Sequence, residues 1–192
     1  MADWNMLVES KHTQAYLGGE MMQYMRDDWV KAALDKLTEA GIDGVRVEAL
    51  ARQLNISKGS FYHHFQDRQE LLDSMITYWE EHATERMIQT PDSSSQTIEQ
   101  LLGAIFTKEQ KLEATMYTWA KQNPALRKRL MEIEKRRIDY VTTLYQKKGM
   151  PLSEAKSRAQ LAYLMYVGWL VRTEIDAEID IQSAIAHFLS WE

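Results

Sequence analysis

The chain has 192 residues, with 23 Lys and Arg against 28 Asp and Glu, a net charge of −5, and no Cys. The lack of Cys excludes disulfides, thiolate nucleophiles, Cys-ligated zinc and iron–sulfur clusters, while 45% hydrophobic and 27% charged residues fit a soluble globular chain of one domain or two small ones. Only 3 Pro and 8 Gly break it, which favours helices, and the acidic total argues at face value against a nucleic-acid partner.

Residues 1–25 carry aromatic and Met side chains but no helical stripe. A flexible arm, a short extra helix and a misplaced translation start all remain open for them. Asp3 and Glu9 fall early and no apolar core follows, so no signal peptide is expected there. The longest apolar run, Leu161 to Val171, is eleven residues, against the roughly 20 that a spanning helix needs. The expectation is a cytoplasmic protein with no membrane partner.

Helical periodicity then dominates. Trp29, Ala33, Leu37 and Ala40 form one stripe that Gly41 ends. Val47, Leu50, Ala51 and Leu54 form a short second one. Asn55-Ile56-Ser57 reads as a tight turn, because Asn tolerates a left-handed backbone and Ser57 can cap the next helix. That helix is predicted to be very short, from Lys58 to Phe65, with Phe61 and Phe65 inward and Lys58, Tyr62 and His63 outward. Two short helices joined by such a turn make a helix-turn-helix. Another helix starts at Asp67-Arg68-Gln69-Glu70, a capping-box pattern, and continues through Leu72, Met75, Ile76, Trp79, Ala83 and Met87.

The Ser-rich stretch after Pro91 is the candidate break in this series. Asn123-Pro124 marks a strong helix start, and Leu130, Ile133, Arg137, Tyr140, Val141 and Leu144 lie on the long helix beyond it. Gly149 and Pro151 form a turn. Leu161, Leu164, Met165, Gly168 and Trp169 lie on the next helix, and Ile181, Ile185, Phe188 and Leu189 on the last. No strand-like alternation and no repeat interrupt this, so the chain reads as all-α with about nine helices from Arg26 onward.

The outer face of the short helix is unusual for a structural element. It offers Lys58, Ser60, Tyr62 and His63, donors suited to phosphates and base edges. Gly59 costs about 1 kcal/mol of helix propensity relative to Ala and permits close backbone approach to another surface.

The run Ser57 to Phe65, followed by Asp67 to Leu72, strongly resembles the recognition helix and capped following helix of the tetracycline-repressor (TetR/AcrR) family. The helix from Asp28 to Ala40, Gly41 and Leu50-Ala51 match as well. The resemblance covers residues 26–75. It implies a three-helix head at 26–66 and a helical effector-binding and dimerisation part at 67–192, with 67–89 as connector. It also implies that Lys58, Gly59, Ser60, Tyr62, His63 and His64 sit at the major groove. Tyr62 and His64 would hold phosphates, and Lys58 and His63 would lie nearer to bases. Arg68 would meet a phosphate near the start of its helix.

Two departures bear on the operator. Where the family often has Thr or Ser, this chain has Arg46 and Val47, and where a basic residue is common it has Glu48. Arg46 can still reach a phosphate, Val47 only through its backbone N–H. Glu48 can accept from cytosine N4 or simply be solvated, and the solvated alternative has the edge.

A metal at His63-His64 is not expected, because adjacent helical residues diverge by about 100° and no third ligand is visible. Arg127-Lys128-Arg129 with Lys135-Arg136-Arg137 interleaves with Glu132, Glu134 and Asp139, so a solvated, internally paired face outweighs a second nucleic-acid patch. Met116, Tyr117, Trp119, Tyr140, Tyr163, Met165, Tyr166 and Trp169 are core residues by default. A family-sized effector pocket would draw on a subset of them. Arg172 turned inward would favour an anionic ligand, and Glu174 turned inward a cation. For dimerisation the resemblance implies pairing of the last two long helices. There Ala155, Ala159 and Ala162 are small enough for close contact, and Leu161, Leu164, Ile181, Ile185 and Phe188 could fill the seam.

The resulting expectation is a homodimeric repressor, without cofactor or enzymatic activity, released from a palindromic double-stranded DNA operator by an unidentified small molecule. A helical DNA-binding regulator governed by a protein partner is the alternative. The charge balance does not oppose either: Arg46, Arg52, Lys58 and Arg68 stand against Glu48 and Asp67 between residues 46 and 68, so a basic head is averaged away in the total.

Overall fold

The computed structural model describes residues 26–85, 88, 96–106, 110–173 and 179–190, and every regular element among them is helical. The readings made for residues 1–25, Met87, Gln89, the Pro91 break and Glu174 lie outside the described residues. No helix among the described residues is long and apolar enough to cross a membrane.

Helix α1 (Arg26–Ala40) buries Trp29, Val30, Ala33, Leu34 and Leu37. It stops at Gly41, whose φ of 67° belongs to the left-handed region that glycine enters freely. A 3-10 turn (Ile42–Gly44) leads into α2 (Val47–Gln53), which buries Val47, Leu50 and Ala51. Asn55 takes the positive φ, 56°, that the sequence assigns to it, and the Ile56 N–H closes the turn on the Ala51 carbonyl at 3.0 Å.

The recognition segment is shorter than its pattern predicts. Helix α3 spans Lys58–Phe61, and Tyr62, His63 and His64 continue in a tight turn whose N–H groups bond the carbonyls three residues back. This turn stacks Phe65 on Phe61 with centroids 5.1 Å apart, and Trp29 meets Phe61 edge-on at 5.3 Å. Ser57 has the extended backbone of an N-cap, yet its hydroxyl makes no capping bond.

Helix α4 (Arg68–Glu80) is capped by Asp67, which accepts from Glu70 N–H at 3.0 Å. The Glu70 carboxylate reaches Gln66 N–H at 2.7 Å, one residue before the position a capping box would use. A π-type turn (Glu81–Glu85) extends the helix. Then come α5 (Ile98–Ile105), α6 (Lys111–Ala120), α7 (Pro124–Lys147), α8 (Leu152–Thr173) and α9 (Ile181–Leu189). Asn123 caps α7 through Leu126 N–H at 2.9 Å, with Pro124 in the first turn. Gly149, at φ 90°, makes the turn into α8.

Hydrophobic packing does not divide at residue 66. One core runs from α1, α2, Phe61 and Phe65 through Leu71, Met75 and Trp79 of α4 to Met116 and Trp119 of α6 and Leu126, Leu130 and Ile133 of α7. The other joins α5, the second half of α7, α8 and α9. The head is therefore held to the rest of the chain by α6 lying against α1 as well as by α4.

A buried polar network pins this junction. Arg137 of α7, 6% exposed, is ion-paired to Glu113 of α6, 4% exposed. Its Nε donates to Thr84 Oγ1 at 2.9 Å, and the Trp79 indole donates to the second Glu113 oxygen at 2.8 Å. The guanidinium also lies over the Trp79 ring, 5.4 Å from its centroid. Burial disfavours the Arg137 charge, but the Glu113 carboxylate outweighs it and raises the pKa. This corrects the reading of Arg137 as part of a solvated basic face. Of the rest of that face, Lys135 pairs within α7, with Asp139, whereas Arg129 and Arg136 both reach across to Glu80 of α4 and Arg127 donates to the Ala120 and Lys121 carbonyls.

Removing one partner of such a pair strands the other charge. Arg137→Met should therefore cost about 3–5 kcal/mol in urea unfolding, and the Arg137→Met/Glu113→Leu double variant should recover much of it. Burial raises the Glu80 pKa, but hydrogen bonds from Arg136 and Arg129 prevail and hold it below 4.5. A depressed folded-state pKa gives stability that is present above the unfolded value and lost as pH falls through the folded one. Glu80→Gln should thus lower Tm at neutral pH, with the gap to wild type closing as the pH drops below 4.5.

Candidate nucleic-acid interface

The turn at Asn55 sets the start of α3 beside the start of α2. Lys58 Nζ and the Glu48 carboxylate form an ion pair across it, each side chain about half exposed. The hydrogen bond from Lys58 lowers the Glu48 pKa, and the same bond raises that of Lys58. Arg46 is exposed and gives its Nε to the Asp43 carbonyl at 2.8 Å. The Val47 side chain is buried, which leaves only its backbone for outside contacts.

Gly59, Tyr62 and His63 are exposed, Tyr62 at 57%, while Ser60 and His64 are half-buried. Tyr62 meets Phe61 edge-on at 5.2 Å, and His64 lies against Phe65 with ring centroids 6.5 Å apart. Both rings are therefore anchored at one side. Arg68, exposed, donates from Nε to the Val45 carbonyl at 2.7 Å and from Nη2 to the Ile42 carbonyl at 2.8 Å. Those carbonyls belong to the loop between α1 and α2, so Arg68 staples the start of α4 beneath the helix-turn-helix. Among the described residues no three His, Asp or Glu side chains gather as a metal site.

Residues 30–75 match the model of the bacterial regulatory proteins, tetR family. The HTH-type transcriptional regulator BetI of Burkholderia cenocepacia (strain HI2424) is 27% identical over 177 residues, covering 86% of this chain and 90% of that protein. The chain resembles TetR-family transcriptional regulators along most of its length, with the family's own model matched at its helix-turn-helix. BetI of Klebsiella pneumoniae (strain 342) is 24% identical, covering 88% and 94%. A solved transcriptional regulator from Rhodococcus sp. Rha1 shares the fold at TM-score 0.63 and 17% identity, covering 78% of this chain and 83% of its own. A putative TetR-family regulator from Rhodococcus sp. does so at 0.60 and 23%, covering 85% and 94%. These relatives are regulators rather than enzymes, and the helix-turn-helix is the DNA-binding part of this chain.

The residues named for an effector pocket are only partly brought together. Tyr117 and Tyr163 join through their hydroxyls at 2.6 Å, and Tyr166 and Trp169 cluster with them around Phe106. Met116 and Trp119 face the other way, into the core shared with the head. Tyr140 stands apart, donating to Gln96 Oε1 at 2.6 Å. Arg172 is exposed, which removes the argument for an anionic ligand through it. Sequence reasoning missed Thr84 and Glu113, which no motif distinguishes, and read Trp79 only as part of an apolar stripe, although Arg137 sits in the α7 apolar stripe where a buried charge could have been suspected.

The dimer-seam residues also sort by geometry. Ala155, Ala159 and Ala162 are buried within the chain, where their small size lets α8 lie close to α7, and Ile185 is buried in the same core. They are unavailable to a partner. Ile181 and Phe188 are half-buried, whereas Leu161 and Leu164 are 50% and 67% exposed.

Gly59 has no positive φ, and a Cβ added there would meet only Ser57 Oγ, at 3.6 Å. Nothing within the chain demands glycine. Gly59→Ala should leave the fold intact or stabilise it by up to about 1 kcal/mol in urea unfolding, yet weaken binding to a DNA duplex by anisotropy. Unchanged DNA affinity would refute close backbone approach as the reason for glycine.

Proposed function

We propose that this chain is a TetR-family regulator that acts as a homodimeric repressor in the cytoplasm and is released from a palindromic operator by a small-molecule effector. The observation that carries the DNA contact is the outward presentation of Lys58, Tyr62 and His63 from a short helix and the turn that follows it, whose inward side chains, Phe61 and Phe65, are fully used by the core. Residues 26–66 serve as the head. Lys58 and His63 read bases, Tyr62 and His64 hold phosphates, and Arg46 and the Gly59 backbone approach the strand. Arg68 acts through the loop that it staples.

Dimerisation uses the outer face of α8. Leu161, Leu164, Gly168 and Val171 recur at heptad spacing and are all exposed, and the Gly168 Cβ position has open space around it. Such an apolar seam with a small residue suits close helix pairing. Two heads must then lie roughly 34–36 Å apart for adjacent major grooves.

The effector is bound at the aromatic cluster of Tyr117, Tyr163, Tyr166 and Trp169. A ligand that prefers a conformer with wrongly spaced heads lowers operator affinity by population shift. Glu113 and Tyr117 lie one turn apart on α6, so the cluster adjoins the Arg137 network that fixes α4.

Selection of bound sequences from random DNA should return an inverted repeat, and a winner without two-fold symmetry would overturn the dimeric reading. Leu164→Glu should sediment as a monomer with unchanged helicity and lose the selected duplex. Tyr62→Ala should stay dimeric and lose it as well.

A further inference from the structure

The head offers less free positive charge than its composition implies. Of the basic residues between 46 and 68, Lys58 is paired to Glu48, Arg68 is committed to two loop carbonyls, and Arg46 gives one donor to Asp43. Only Arg52, exposed near the end of α2, has no side-chain bond among the described residues. The Lys58–Glu48 pair is not needed to hold the helix-turn-helix together. Side chains this exposed contribute little stability, and the turn is already fixed by Asn55, the Ile56–Ala51 hydrogen bond and buried Phe61.

The pair instead changes the chemistry presented to DNA. A free lysine is satisfied by any phosphate, and phosphates are present at every sequence. A lysine shared with a carboxylate is not, because moving it onto a phosphate leaves Glu48 unpaired beside an anion. A guanine–cytosine pair offers both partners something: O6 and N7 accept from an ammonium, and the cytosine N4 amine donates to a carboxylate.

We propose that Glu48 is a specificity-determining residue that withholds Lys58 from phosphates and releases it only to a guanine–cytosine pair, whose two edges satisfy Lys58 and Glu48 together. The proposal rests on the DNA-binding reading above. Glu48 raises specificity by weakening binding to wrong sites rather than by strengthening binding to the right one.

The test compares wild type, Glu48→Gln, Lys58→Met and the double variant. Each is measured on a random-sequence duplex and on the duplex that wild type selects, across a range of salt, with circular dichroism as the check on folding. Glu48→Gln should bind the random duplex several-fold tighter, and its log–log salt slope should steepen by about 0.9 for each head that gains a phosphate contact. Its preference for the selected duplex should fall, and reselection should lose a guanine–cytosine pair from each half-site. In the Lys58→Met background the same substitution should change random-duplex binding far less.

An equal effect in both backgrounds would mean that Glu48 simply repels DNA, and would overturn the proposal. So would an unchanged ratio between selected and random duplex. A wild-type chain that enriches no sequence at all would instead overturn the DNA-binding reading, and this inference with it.

Discussion

Arg137 carries a full positive charge into the interior, and its surroundings are arranged to meet that charge. Glu113 supplies the counter-charge, Thr84 an acceptor, and the Trp79 ring a π-face. These partners come from α6, the π-type turn and α4, so a single guanidinium fixes how three elements sit against α7. Networks of this kind are costly when half satisfied. The junction between the head-bearing helix and the rest of the chain therefore tends to be made completely or not at all.

The position of the π-type turn fits this. Thr84, fully buried, is presented to Arg137 from the wider turn that follows α4. One turn along α6 from Glu113, Tyr117 bonds Tyr163, whose phenol is pushed up to about 12 by burial and stays protonated at neutral pH. The aromatic cluster and the charged network are thus neighbours on one helix. Any molecule that separated the two phenols would press on the helix that also supports α1. The head is reached by two packed routes, α4 and the α1–α6 contact, rather than through one lever.

At the other end of the molecule the physics is reversed. The interior network collects charge and satisfies it, whereas the outward face of the helix-turn-helix limits free charge. Lys58 is balanced by Glu48, and Arg68 is turned to backbone carbonyls. The groups left exposed there are largely directional: an aromatic hydroxyl at Tyr62 and the imidazole of His63. A surface of this kind gains from correct hydrogen-bond geometry more than from proximity to phosphates.

Features governed by a few consecutive residues were legible in the sequence. The Asn123–Pro124 start, the left-handed Asn55, the stop at Gly41 and the inward Phe61–Phe65 pair arise from backbone chemistry within one turn, and they sufficed to define the helix-turn-helix and its outward side chains. Choices between surfaces were not legible. Helix α8 is apolar on most sides between Leu161 and Val171, so periodicity alone does not say which face is buried. Packing against α7 selects the alanine face and leaves Leu161 and Leu164 outside, because small side chains permit the closer approach. In the same way the sequence shows Arg137 among bases and acids, Arg68 at a helix start, and Glu48 and Lys58 ten positions apart. Whether each charge meets water, a carbonyl or another charge depends on segments remote in the chain, and only the folded structure brings those partners within hydrogen-bonding distance.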